Sequence, residues 1–397
     1  MITIKTIIGK NKTSRTSATS LTSITRLCLI ALVGLMSSCS KDDVDSDMFS
    51  TSSFEIVSSM TCFDEHMSQT RAGGYESMTR AWSIPDGYTA YEDGPQTIGI
   101  CFTKNGSDPK KGHFFTGSES KWRTNVTGIE NTTYYLYGYI PHVGNMTCNI
   151  TDRSGPNASY STGAIMTLQD VPSVMSGDFC VVIGAKEGTD KEHDNGLRQG
   201  DFAYQASSSA TGNYVFLLFD HLYAALRVKM RVHGDYNALR TIKLKSLKLC
   251  TKVGSATITK NMDIRVELKK TKDASESPIV LPITYTQKGA ENSEGLVCWS
   301  SGSGVELNTD YQAFTGHFMP ESVTTLILTS TYDIYDKKGN LIREDCEATN
   351  TMYLSELFSE QDETHRGSRY TVNMTIQPTY LYVMSDPDLD NPSVVIN

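Results

Sequence analysis

The sequence predicts an all-β protein built from two β-sandwich domains in tandem. Three observations carry this. Runs of β-branched and aromatic residues bounded by Gly, Pro, Asn and Asp recur along most of the chain. Leu226, Val228, Met230 and Val232 alternate with Arg227, Lys229 and Arg231, the period of a half-buried antiparallel strand. Only residues 351–363 read as helix, and that stretch is short. Regular strands separated by turn signals are the pattern of sandwiches.

Residues 1–38 carry Lys5, Lys10, Lys12, Arg15 and Arg26 and no acid, followed by an apolar run from Leu27 to Met36. A membrane span needs about 20 apolar residues. A basic region, a short apolar run and the small pair Ser37-Ser38 make a cleavable secretory signal. Cys39 then becomes the first mature residue, and a thiol there is the diacylglycerol acceptor of a lipobox. Acyl chains contribute about 0.8 kcal/mol per buried CH₂, which makes Cys39 a membrane anchor. Lys41-Asp42-Asp43 follows at once and resembles a short charged tag for the outer surface.

Residues 39–80 read as a tether and removable N-terminal segment: a Ser/Asp/Thr-rich stretch, the alternating Phe54-Glu55-Ile56-Val57, then a polar stretch with Arg71-Ala72-Gly73-Gly74 and Arg80. The first sandwich is expected over 81–210. Its strands are Thr97–Thr103, Thr133–Ile140, Ala164–Leu168 and Phe179–Ala185. In the second of these, Tyr135, Tyr137 and Tyr139 share one face, and Tyr134 and Leu136 the other. Residues 187–213 are polar and Gly/Ser-rich, which puts the joint near 205–214. The second sandwich is expected over 211–397. It opens with the 226–232 alternation. A shift of apolar phase around Ser246 then predicts a bulge. Ile264, Val266 and Leu268 form another strand, and a hairpin turns at Lys338-Gly339-Asn340.

The chemistry of most enzymes is missing. No nucleophile elbow, P-loop, dinucleotide fingerprint or metalloprotease motif occurs, so the expectation is a protein without catalysis or cofactor. The net charge of −9 argues against nucleic acid as partner. Of nine cysteines, Cys28 leaves with the signal and Cys39 takes lipid. The other seven are widely spaced with no CxxC or Cys/His cluster, which predicts buried single thiols, one bonded pair with partners unspecified, and no zinc site. His221 beside Asp220 reads either as a base held by a carboxylate or as a half-buried histidine at a strand kink. Asp386, Asp388 and Asp390 alternate as in some calcium loops but lack the Gly and distal Glu of an EF-hand; the plain reading is a solvated turn. The tyrosine faces of 134–139 suit either sugar stacking or sheet packing.

Four stretches in order, "SCSKDD", "TYYLYGYIP", "FDHLYAALRVKM" and "GSRYTVNMTIQPTYLYV", resemble the fimbrillins that build type V pili of anaerobic Gram-negative bacteria. The resemblance runs over most of the mature chain. It implies two transthyretin-like sandwiches, lipoprotein export to the outer membrane, and removal of an N-terminal segment by an arginine-specific protease. Here that cut falls at Arg71, with Arg80 as runner-up. Removal exposes a groove for a strand from another copy or a related pilus subunit. The donor strand is placed near the C-terminus, with Val372, Met374, Ile376, Val394 and Ile396 as its alternating residues. The other reading of the same features is a non-polymerising or tip lipoprotein that binds glycan or a host or bacterial surface protein.

Overall fold

Among the described residues the chain passes back and forth through 22 strands and two very short helices. The computed structural model describes residues 55–60, 64–67, 97–116, 122–142, 146–152, 159–189, 196–206, 214–269, 283–358 and 363–376. The described residues fall within one compact unit, and all but a few of its elements are strands.

The first sheet runs in the order β1 (Glu55–Met60), β12 (Tyr214–His221), β10 (Cys180–Gly188), β6 (Thr133–Ile140), β3 (Thr97–Thr103), β4 (Lys110–Thr116) and β5 (Trp122–Thr124), with β11 (Ala203–Gln205) also on β6. It is apolar on both faces. Tyr137, Tyr139, Val181, Ile183, Phe216 and Leu218 enter the large core cluster. Tyr134, Leu136, Val182, Val215, Leu217 and Phe219 enter a second, smaller one. Burial on both faces explains why "YVFLLF" is continuously apolar where a half-exposed strand would alternate. Gly138 is needed for this packing: a Cβ there would lie 2.6 Å from the Gly99 carbonyl oxygen of the neighbouring β3.

A second sheet has the order β2 (Asp64–Met67), β22 (Ser368–Ile376), β13 (Ala224–Val232), β19 (Gln312–Phe318) and β9 (Val174–Met175). A third joins β14 (Arg240–Val253), β20 (Thr325–Asp336) and β21 (Leu341–Tyr353), with β15 (Ala256–Thr257) and β18 (Leu296–Leu307) on the other edge of β14. The ladder shifts register between Leu244 and Ser246, where the phase change in the sequence predicts a bulge. The 20–21 hairpin closes around Gly339, whose φ of 86° is open to glycine at no steric cost. Residues 351–358 depart from the expected helix. β21 continues to Tyr353, and one turn, α2 (Leu354–Leu357), follows it. The other helix, α1, is Gly234–Leu239.

The fourth sheet is β17 (Ile283–Glu291), β16 (Thr259–Lys269), β8 (Gly163–Pro172) and β7 (Thr147–Asp152). It changes the expected domain plan. β7 and β8 come from the first half of the sequence and β16 and β17 from the second, yet Ile264 pairs with Leu168 and Val266 with Met166. β12, expected in the second sandwich, is an inner strand of the first sheet, and the expected joint lies ahead of it. The chain crosses between the sheets at Leu222 and Tyr223. There the Tyr223 hydroxyl donates to the Pro172 carbonyl (2.5 Å) and that of Tyr285 to the Leu222 carbonyl (2.6 Å). The halves therefore share a sheet and a core cluster. The physical reason is that Ile264, Val266 and Leu268 bury completely only when β8 closes the strand edge beside them.

Candidate assembly site

Two short strands from the N-terminal segment complete sheet edges. β1 lies parallel to β12, in register from Glu55 with Tyr214 to Met60 with Phe219. β2 lies parallel to β22, from Asp64 with Ser368 to Met67 with Thr371. Parallel neighbours joined by more than 150 residues have no local turn to hold them together. β1 is kept by its ladder and by the half-buried Ile56, which packs on the smaller core cluster. Without β1, β12 becomes an edge, and Val215, Leu217 and Phe219 lose their lateral cover. Without β2, β22 becomes an edge in the same way.

Several sequence-predicted positions lie outside the described residues: Cys39, Arg71, Arg80, Asp386, Asp388, Asp390, Val394 and Ile396. Val372, Met374 and Ile376 are described, and their placement corrects the donor-strand assignment. They lie in β22, paired parallel with β13 over eight positions: Val372 opposite Val228, Met374 opposite Met230, Ile376 opposite Val232. These residues extend the chain's own inward apolar rows, and Val372 is buried. β2 reaches only Thr371, so Val372, Met374 and Ile376 pair with β13 alone, within this subunit's own sheet.

The tyrosine faces are also assigned. Tyr134, Tyr137 and Tyr139 are buried, so their rings are unavailable to a sugar. The Tyr137 hydroxyl donates to the Tyr160 carbonyl (2.6 Å), and Tyr139 Oη sits 2.7 Å from His142 Nδ1. An open cleft of about 300 Å³ is bounded by Tyr285, Pro320, Glu321, Thr364, His365 and Arg366.

His221 does not pair with Asp220 through its ring. Neighbouring residues of a strand face opposite sides. Asp220 accepts from Arg366 Nη1 (2.7 Å) and from the His221 backbone N–H (3.0 Å). The imidazole Nδ1 lies 2.5 Å from Asp178 Oδ2, with Cys180 Sγ 3.2 Å from the same oxygen and 3.7 Å from Nδ1. All three residues are buried. Burial pushes the Asp178 carboxyl up, but the charge and hydrogen bond of His221, with lesser help from His317 and Cys180, hold it below its ordinary value. Cys180 and His221 are cross-strand partners 41 residues apart, a relation that sequence spacing does not display.

The described cysteines are all free thiols. Cys101 Sγ and Cys148 Sγ are 3.9 Å apart. Cys298 is fully buried, which pushes its thiol up to about 12. Among the described residues no helix is long and apolar enough to cross a membrane.

No family model and no curated protein matches the chain. Solved structures do. A putative cell adhesion protein from Bacteroides uniformis is 11% identical, with 81% of this chain and 93% of that chain covered and a TM-score of 0.30. A fimbrial protein from Bacteroides ovatus is 8% identical, covering 83% and 51%, with a TM-score of 0.24. The fimbrial anchor protein Mfa2 from Porphyromonas gingivalis is 10% identical, covering 80% and 90%, with a TM-score of 0.23. Such low identities and TM-scores fix neither family nor function.

Proposed function

We propose that this chain is a structural subunit of a cell-surface pilus, exported as a lipoprotein through Cys39 and assembled by strand exchange once its N-terminal segment is cut away. The observation that carries the reading is the placement of β1 and β2. Both come from the segment ahead of Arg71, and both complete sheet edges by pairing with strands far along the chain. A cut at Arg71, with Arg80 next in line, detaches the two strands together. An edge strand with a bare apolar row then accepts a foreign strand, which supplies ladder hydrogen bonds and side chains for the vacated positions. Before the cut, intramolecular filling has a high effective concentration and keeps the chain monomeric. The reading includes no catalytic step and no cofactor.

The test is limited trypsin digestion of the purified monomer. The expected product has its new N-terminus at Ala72 and then forms detergent-resistant ladders. Arg71→Ala/Arg80→Ala should remain monomeric under the same treatment. Equal polymerisation of the double mutant and the parent refutes gating at these sites. Immunogold label along filaments supports a stalk subunit, and diffuse surface label favours the non-polymerising lipoprotein.

A further inference from the structure

We propose that Asp178, Cys180 and His221 form a buried binding site for a zinc-class divalent cation. Three chemically suitable ligand atoms converge: a carboxylate oxygen, a thiol sulfur and an imidazole nitrogen, all within 4.8 Å of one another and all buried. Zinc held tetrahedrally at about 2.0–2.3 Å from such atoms separates them by roughly 3.4–3.6 Å. The sulfur–nitrogen separation of 3.7 Å and the sulfur–oxygen separation of 3.2 Å are already close to that. Only the Asp178 Oδ2–His221 Nδ1 pair, at 2.5 Å, must open, by about 1 Å.

Charge balance favours the cation. One thiolate and one carboxylate neutralise a dication, so a bound ion adds no net charge to the interior. The cation displaces two protons to solvent, one from the thiol and one from imidazolium Nδ1, and the ring keeps its Nε2 proton. The metal-free arrangement has a specific defect. Asp178 Oδ2 gathers both neighbours while Oδ1, equally buried, accepts no hydrogen bond. A buried acceptor left unsatisfied costs about 1–3 kcal/mol, and a cation shared across the carboxylate removes that cost. His317 belongs to the surroundings of the site, outside the three residues whose ligand atoms converge. It is buried, and its charge acts on Asp178. Its Nδ1 lies 3.0 Å from the Ser176 carbonyl oxygen.

The position suggests what the ion would do. Cys180 opens β10 and His221 closes β12, immediately before the chain crosses at Leu222. A bound cation would clamp the first sheet to that crossing, independently of whether the chain polymerises.

The experiment is elemental analysis of the full chain purified from zinc-supplemented cells, followed by chelation and cobalt substitution. The expected result is zinc near equimolar with protein, and a thiolate-to-cobalt charge-transfer band with the intense visible bands of tetrahedral cobalt. Cys180→Ser and Asp178→Asn should fold by circular dichroism and lose the metal. X-ray absorption of the zinc-loaded parent reads the ligand set without any variant: one sulfur with lighter ligands is expected. Metal-free parent protein after zinc loading overturns the proposal. So does a ligand set with no sulfur or several, or a cobalt band that persists in Cys180→Ser.

Discussion

Ile56→Ala should loosen β1 from the sheet edge without unfolding the protein. Ile56 stands opposite Val215 in the parallel ladder, and its side chain is half-buried against the smaller core cluster. The substitution removes three carbon groups, each contributing about 0.8 kcal/mol when fully buried. Half-burial brings the sum to about 1.2 kcal/mol, or roughly an eightfold rise in the equilibrium for opening β1. The ladder itself is untouched, because every backbone group remains. Native-state hydrogen exchange reads the effect. Amides of β12 bonded to β1 should exchange about eight times faster, while those of Leu247 and Leu249 in the buried β14 keep the parent rate. Unchanged β12 rates would mean that Ile56 does not hold the strand. A uniform acceleration in both strands would mean that β1 opens only with the whole protein. Either result refutes the view of β1 as a separately removable edge.

Other measurements follow from the packing and the burial of single groups. Gly138→Ala should destabilise the fold by about 1–3 kcal/mol in denaturant titration, because the added methyl meets the Gly99 backbone oxygen. Tyr223→Phe should cost about 1–3 kcal/mol, since the Pro172 carbonyl loses its buried donor; the calorimetric Tm should fall accordingly. With its thiol near 12, Cys298 holds only about one thiolate in ten thousand at pH 8, so iodoacetamide should label it only after unfolding. Its labelling should rise with pH towards 12, and rapid labelling in the native protein at pH 8 would contradict its burial.

Strand identity was legible because it depends on neighbours in sequence. The runs Thr97–Thr103 and Thr133–Ile140 match β3 and β6 to the residue, and the phase slip at Ser246 and the turn at Gly339 sit where local pattern puts them. Side-chain alternation and turn chemistry act over two to four residues, so a single chain displays them directly. The all-β class follows from the same signals. The helix expected over 351–363 failed because cross-strand pairing with β20 carried β21 to Tyr353 and overrode a weak local preference.

Partnership between strands was decided only in three dimensions. Nothing in the run at 163–172 says that it will pair with 259–269, and so the two expected sandwiches turned out to share a sheet. Val372, Met374 and Ile376 alternate as an exchanged strand would. The same alternation serves an internal strand, and only the register against Val228, Met230 and Val232 separates the two. His221 was visible as a residue of interest, but its carboxylate came from Asp178 rather than from adjacent Asp220, because successive side chains on a strand point apart. Composition and period set which residues are strand and which are buried. The pairing that gathers Asp178, Cys180 and His221, and that seats β1 and β2 on distant edges, arises from long-range closure of apolar surface, which leaves no mark at fixed spacing in the sequence.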